Sequence, residues 1–177
     1  CLVGSEMCIR DRFLVYSCSE EKKSDLPSSD GLPDQESWGV TIIMTHEGLI
    51  RAKVNSGHLK KFNEKEYIIL DENVVVDFFD LQENHTSTLF SDKSEINEKS
   101  NDMLAIGNVI AKSDSGITLF TQRLQWIAED EKLFTKDSIM ITTLDKDTLF
   151  GKGFESNADL ENWRIINPSG VTGSEIH

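Results

Sequence analysis

Through most of the chain, apolar and polar residues change places at every second position. Trp38, Val40, Ile42 and Met44 alternate with Gly39, Thr41, Ile43 and Thr45, the period of a β-strand. His46-Glu47-Gly48 has the length of a hairpin turn. Beyond it Ile50, Ala52 and Val54 alternate with Leu49, Arg51, Lys53 and Asn55. Ser56-Gly57 reads as the next break. The same pattern predicts strands over 67–70, 74–81, 106–111, 117–126, 139–144 and 163–166, with Asp114-Ser115-Gly116 as a turn between two of them. Helical periodicity is absent, so the expected fold class is all-β.

Self-similarity organises these strands. Thr88-Leu89-Phe90 returns as Thr118-Leu119-Phe120 and as Thr148-Leu149-Phe150, each step being 30 residues (118 − 88 = 148 − 118). Ser94, Leu124 and Phe154 fall in the same register, as do Leu104 with Phe134 and Val109 with Ile139. Asn73-Val74 echoes Asn108-Val109 more loosely. Units of two or three short strands that stack in this way bury an apolar seam that none could bury alone. Leu89 and Ile96 are seven apart, as are Leu119 and Trp126. An odd spacing puts two residues on opposite faces of a regular strand, so if both point inward a bulge lies between them, near Lys93 and Arg123.

Composition narrows the function. The chain has 177 residues, 38% of them hydrophobic, and a net charge of −13. That charge argues against nucleic acid as a partner, since phosphate backbones are held by clustered Lys and Arg. All three cysteines, Cys1, Cys8 and Cys18, stand within the first eighteen residues, so the body of the chain can form neither a disulfide nor a thiolate metal site. Residues 1–12, CLVGSEMCIRDR, scatter charge among apolar residues, unlike a secretory signal, and look like translated adapter sequence. Phe13-Leu14-Val15-Tyr16-Ser17-Cys18 resembles the end of a bacterial lipoprotein signal, which makes Cys18 the expected lipidation site. Segment 1–17 is then a signal remnant. Segment 18–37, rich in Ser, Pro, Gly and mixed charge, is a flexible linker, 38–171 is the β-domain and 172–177 is a tail.

Segment 69–80 (ILDENVVVDFFD) with Ser87-Thr88-Leu89-Phe90-Ser91-Asp92 resembles the repeat of the periplasmic lipopolysaccharide-export family of LptC, related to LptA and the OstA-like proteins. Gly107-Asn108-Val109, Gly153-Phe154-Glu155-Ser156 and Asn162-Trp163-Arg164-Ile165 are similar to that family's later repeats. Many members keep an uncleaved transmembrane helix, whereas this chain looks like a lipoprotein-type member or one that has lost its start. The resemblance implies an open, twisted β-jellyroll of stacked antiparallel repeats. It also implies a non-enzymatic role: accepting lipopolysaccharide from an inner-membrane ABC transporter and passing it to the bridge protein LptA by strand-edge pairing. Location in the periplasm, with the lipid anchor in the inner membrane, follows from the same likeness, as does the absence of a cofactor. The strand near 38–45 would face the transporter and that near 163–166 the bridge protein.

Burial of acyl chains is worth roughly 0.8 kcal/mol per methylene, so a carrier needs a continuous apolar path. The candidate lining is Ile42, Met44, Val54, Val74, Val76, Phe78, Leu89, Ile106, Val109, Leu119, Leu124, Trp126, Ile139, Ile141, Leu149 and Phe154; a closed, filled core accounts for each of these residues equally well. Two other readings stay open at this point. One is a polysaccharide-acting enzyme on a repetitive β-scaffold, which would need acidic or basic residues gathered on one face. The other is a structural surface lipoprotein. Little catalytic chemistry is written in the chain. His46, His58, His85 and His177 show no ligand spacing and read as solvated surface residues. Asp71-Glu72 and Glu129-Asp130-Glu131 read as solvated turns. Asp145-Lys146-Asp147 begins like a calcium loop, but Leu149 and Phe150 occupy positions that need a ligand and a glycine.

Overall fold

Long alternating stretches bury their apolar side most simply by pairing each strand with its neighbour in the chain. The computed structural model, which describes residues 31–169, is built in this way. The strands are β1 (Gln35–His46), β2 (Leu49–Phe62), β3 (Tyr67–Phe79), β4 (His85–Asn97), β5 (Met103–Ser113), β6 (Thr118–Ile127), β7 (Lys132–Thr142), β8 (Thr148–Asn157) and β9 (Trp163–Ser169). Among the described residues they form one antiparallel sheet in chain order, with no crossover and no closure, which leaves β1 and β9 each with one edge that no described strand pairs. β1 takes in Gln35–Ser37, three residues of the segment read as linker, which pair with Lys61, Lys60 and Leu59. At the first hairpin Glu47 and Gly48 both have positive φ, +51° and +84°, as a two-residue primed turn demands.

Each 30-residue repeat is one hairpin of two long strands rather than two or three short ones. The Thr-Leu-Phe tripeptides start β4, β6 and β8 or lie just inside them. Two expected breaks are corrected here. β2 runs straight through Ser56-Gly57, and β3 runs through Asp71–Asn73. At the second of these the chain bulges: Glu72 and Asn73 adopt φ of +61° and +62° and leave one residue more on β3 than on β4. β5 carries the same extra residue at Gly107-Asn108 and β7 at Lys136-Asp137.

These bulges lie in line across the sheet and settle side-chain direction. Buried positions on β4 run Leu89, Ser91, then Ser94 and Ile96; those on β6 run Leu119, Thr121, then Leu124 and Trp126. Both seven-residue pairs therefore point inward, and the register shifts fall between Phe90 and Lys93 and between Phe120 and Gln125. The odd strands cross the same line in four residues, Leu70 to Val74, Ala105 to Val109 and Thr135 to Ile139. A row of bulges bends a sheet along that row. The crease turns the two halves of the sheet face to face. Phe78, in the first-hairpin half of β3, packs edge-on against Trp126 in the other half of β6, with ring centroids 5.4 Å apart. Ser87 Oγ donates to the carbonyl of Ala158 at 2.5 Å, and Arg51 Nη2 meets Glu131 Oε2 at 2.5 Å.

The last strand closes tightly onto a glycine. A Cβ at Gly151 would stand 2.2 Å from Ile165 Cγ2 and 2.9 Å from the carbonyl oxygen of Asn167. Because one of those neighbours is backbone, rotation of a side chain cannot relieve the contact. Gly151→Ala is expected to cost about 1–3 kcal/mol and to loosen β9 selectively. Hydrogen exchange should speed up across 163–169 while β3–β6 keep their protection; uniform loss of protection would contradict the local origin of the effect.

Candidate functional site: the apolar inner face

Residues directly opposite one another in paired strands share a face, so the registers define rows that cross the sheet. One inner row reads Ile42, Val54, Val76, Leu89, Ala111, Leu119, Ile141 and Leu149. On the other side of the crease a second reads Ile68, Ile96, Met103, Trp126, Leu133, Ser156 and Trp163. A third brings Leu59, Leu70, Ser94, Ala105 and Leu124 together. Ser94 and Ser156 are the polar members of these rows, and beyond Ile68 the second row continues on β2 into Lys61.

The candidate lining residues divide accordingly. All but Ile42, Ile106 and Leu149 are buried, among them Met44, Val74, Phe78, Val109, Ile139 and Phe154, and they form a continuous core. Ile42 is half-buried on the inner face of edge strand β1. Leu149 faces inward opposite Ile141 yet is 40% exposed. Ile106 is corrected: it lies on the outer face, in register with Lys93 and Arg123, because the bulge beside it puts Ala105 and Val109 inward. Sequence reasoning left out Val40, Trp163 and Ile165, which are partly buried against the core from the two edge strands. The inner face is therefore filled across its middle and only half-covered at Val40, Ile42, Trp163 and Ile165 on the edge strands. A cleft of about 160 Å³ also opens beside Met44 and Trp126.

The outer face carries charge along the crease. Arg123 grips Asp137 through Nε and Nη2 at 2.9 and 3.0 Å. This donation holds the Asp137 carboxyl below the usual carboxylate range and raises Arg123. In the β3–β4 turn, the side-chain amide of Asn84, then its backbone N–H, lowers Asp80 in the same way. The outer face also bears an apolar row that the repeats foreshadowed: the phenylalanine of each tripeptide, Phe90, Phe120 and Phe150, lines up with Ile110 and Met140.

The histidines need one correction. His46 ends β1 and is exposed, and His85 is bound on both ring nitrogens, by Asp114 and Thr88 at 2.9 Å each. His58 is not a solvated residue: it is 8% exposed, its Nδ1 lies 2.8 Å from Asp71 Oδ1, and Trp38 stacks on its ring at 5.0 Å. Asp71-Glu72 is likewise a bulge inside β3 and not a turn. His177, Cys18 and the segments 1–17 and 172–177 lie outside the described residues. Among the described residues no helix is long and apolar enough to cross a membrane.

An open antiparallel sheet, creased on itself around a largely apolar inner face, defines a β-jellyroll. The chain matches the family model described as lipopolysaccharide-assembly, LptC-related, over residues 39–172, and it belongs to that family. It is also similar to the crystal structure of LptH, the LptA-homologous periplasmic component of the conserved lipopolysaccharide transport device of Pseudomonas aeruginosa. The TM-score is 0.52 at 9% identity, covering 71% of this chain and 89% of that one, which speaks for a shared fold. No curated protein matches the sequence.

Proposed function

We propose that this chain is a non-enzymatic lipopolysaccharide carrier of the inner-membrane export complex, taking acyl chains along its inner face from the ABC transporter to the bridge protein LptA. The observation that carries this reading is the pair of apolar rows, one from β1 to β8 and one from β3 to β9, whose end members Ile42 and Trp163 are only partly buried. Acyl chains leaving a bilayer would enter beside one edge strand and leave beside the other without crossing water. Each free edge offers unpaired N–H and C=O groups to a neighbouring sheet, β1 toward the transporter and β9 toward the bridge. Acylation of Cys18 would hold the domain at the inner membrane while the segment up to residue 34 acts as a tether.

A photo-crosslinking residue placed at Ile42 or Leu149 tests the path. Both are expected to label lipopolysaccharide in cells, with little labelling from Lys112 on the outer face, and depletion of the protein should trap lipopolysaccharide at the inner membrane. A folded protein that labels from none of the inner positions would instead be a structural lipoprotein.

A further inference from the structure

The β1–β2 register slips once. Met44 pairs with Ala52 and Thr45 with Ile50, so Arg51 is an extra residue on β2. Strict alternation would send Arg51 outward with Lys53. The bulge turns it inward beside Ala52 instead, and both are buried.

Pointing inward, the guanidinium reaches the seam where the two halves of the sheet meet. Its Nη2 holds Glu131, in the turn end of the opposite half, at 2.5 Å. Its Nε and Nη1 are buried and have no hydrogen-bond partner, and the same is true of the indole Nε1 of Trp126. Arg51 is 8% exposed and Trp126 3%. The two residues wall the same cleft of about 160 Å³, together with Met44, Ala128 and Glu129. Guanidinium and indole nitrogens only donate, and buried donors are nearly always paired. The cleft therefore brings three N–H groups from opposite halves of the sheet to one place and calls for oxygen acceptors.

Charge selects among acceptors. Glu131 already offsets Arg51, Glu129 stands on the cleft wall, and the chain as a whole carries −13. A phosphate or carboxylate would meet that negative field, whereas an uncharged oxygen would not. Met44, Ala128 and the Trp126 ring add apolar contact beside the donors. An uncharged acceptor joined directly to hydrocarbon is the chemistry of an amide or ester carbonyl at the head of an acyl chain.

We infer that Arg51 and Trp126 form a subsite for the carbonyl of an acyl amide or ester at the seam of the folded sheet. The inference rests on the lipid-carrier reading and adds to it a polar anchor for the head of the chain. The test is calorimetry on the full-length protein with two soluble probes below their micelle concentrations. N-decanoyl-N-methylglucamine carries an amide carbonyl; decyl glucoside has an ether oxygen in its place. The amide probe is expected to bind about tenfold more tightly. Arg51→Lys keeps a charge for Glu131 and drops the free donors, while Trp126→Phe keeps a ring against Phe78 and drops the indole N–H. Each should weaken the amide probe about fivefold to tenfold and leave decyl glucoside within about twofold. The Trp126 indole proton resonance, assigned by its loss in Trp126→Phe, should shift with the amide probe.

Equal affinity for the two probes, an unchanged preference in both folded variants, or no binding of either would overturn the subsite. So would binding of inorganic phosphate that Arg51→Lys abolishes, which would make the cleft an anion site. If Ile42 and Leu149 still label lipopolysaccharide in any of those cases, the inner-face path stands and only the subsite falls. If labelling fails while the amide preference holds and depends on Arg51 and Trp126, the subsite stands and the lipopolysaccharide reading falls.

Discussion

Phe78→Ala is expected to lower stability by about 3–5 kcal/mol, the usual cost of removing a buried aromatic ring. The ring is 1% exposed, lies on the inner face between Ala52 and Ser87, and meets Trp126 edge-on from the opposite half of the sheet. Its small cross-strand neighbours cannot collapse into the space it leaves. The same residues therefore hold strand to strand and half-sheet to half-sheet. A domain of this size typically has 5–15 kcal/mol in total, so the melting temperature should fall by roughly 10–20 °C. Phe150→Ala, removing a ring that is 44% exposed on the outer face, is the matched control and should cost under about 1 kcal/mol. Denaturant and thermal melts followed by circular dichroism measure both. Equal, small effects would mean that the two halves do not depend on each other at Phe78.

The second large effect concerns lipid and not stability. Ile42→Asp places a carboxylate on the half-buried inner face of β1, opposite Val54. At this edge the charge can still reach water in the free protein, so folding should lose no more than about 1–2 kcal/mol. An acyl chain lying over the same spot would strip that water away, and an unpaired buried carboxylate costs several kcal/mol. Lipopolysaccharide labelling from Leu149 should therefore fall at least about tenfold in the variant. Ile43→Asp, one residue along and 57% exposed on the outer face, should label normally. Equal behaviour of the two variants would count against a lipid path on the inner face.

Much of the fold was legible because burial on one face imposes a period on the sequence, and repetition of the hairpin imposes a second. The odd spacing between Leu119 and Trp126 calls for a bulge only if both face inward; they do, and the registers contain one. What misled was local chemistry. Ser56-Gly57 and Asp71-Glu72 carry the residue types of turns, but a long strand can run through the first, and a bulge accepts the second for the same reason as a turn, tolerance of unusual backbone angles. A tight turn and a bulge differ only in whether the partner strand continues alongside, which is a non-local fact. His58 was misread for a related reason: its burial comes from Trp38 and Asp71, on the two strands that flank it. For the candidate site the sequence identified the inward residues well, apart from Ile106. It could not separate those sealed in the middle from those laid bare at the rims, because that depends on where the sheet ends.

The hairpin repeat has a consequence for reach. Adjacent strands stand about 4.8 Å apart, so each added hairpin lengthens the sheet by roughly 10 Å. Inserting or deleting one 30-residue unit, as between the β4–β5 and β6–β7 units, would change that span like adding or removing a plank from a footbridge. The two terminal strands would keep their identity, so length can be adjusted by gene duplication while the outer edges of β1 and β9 stay as they are.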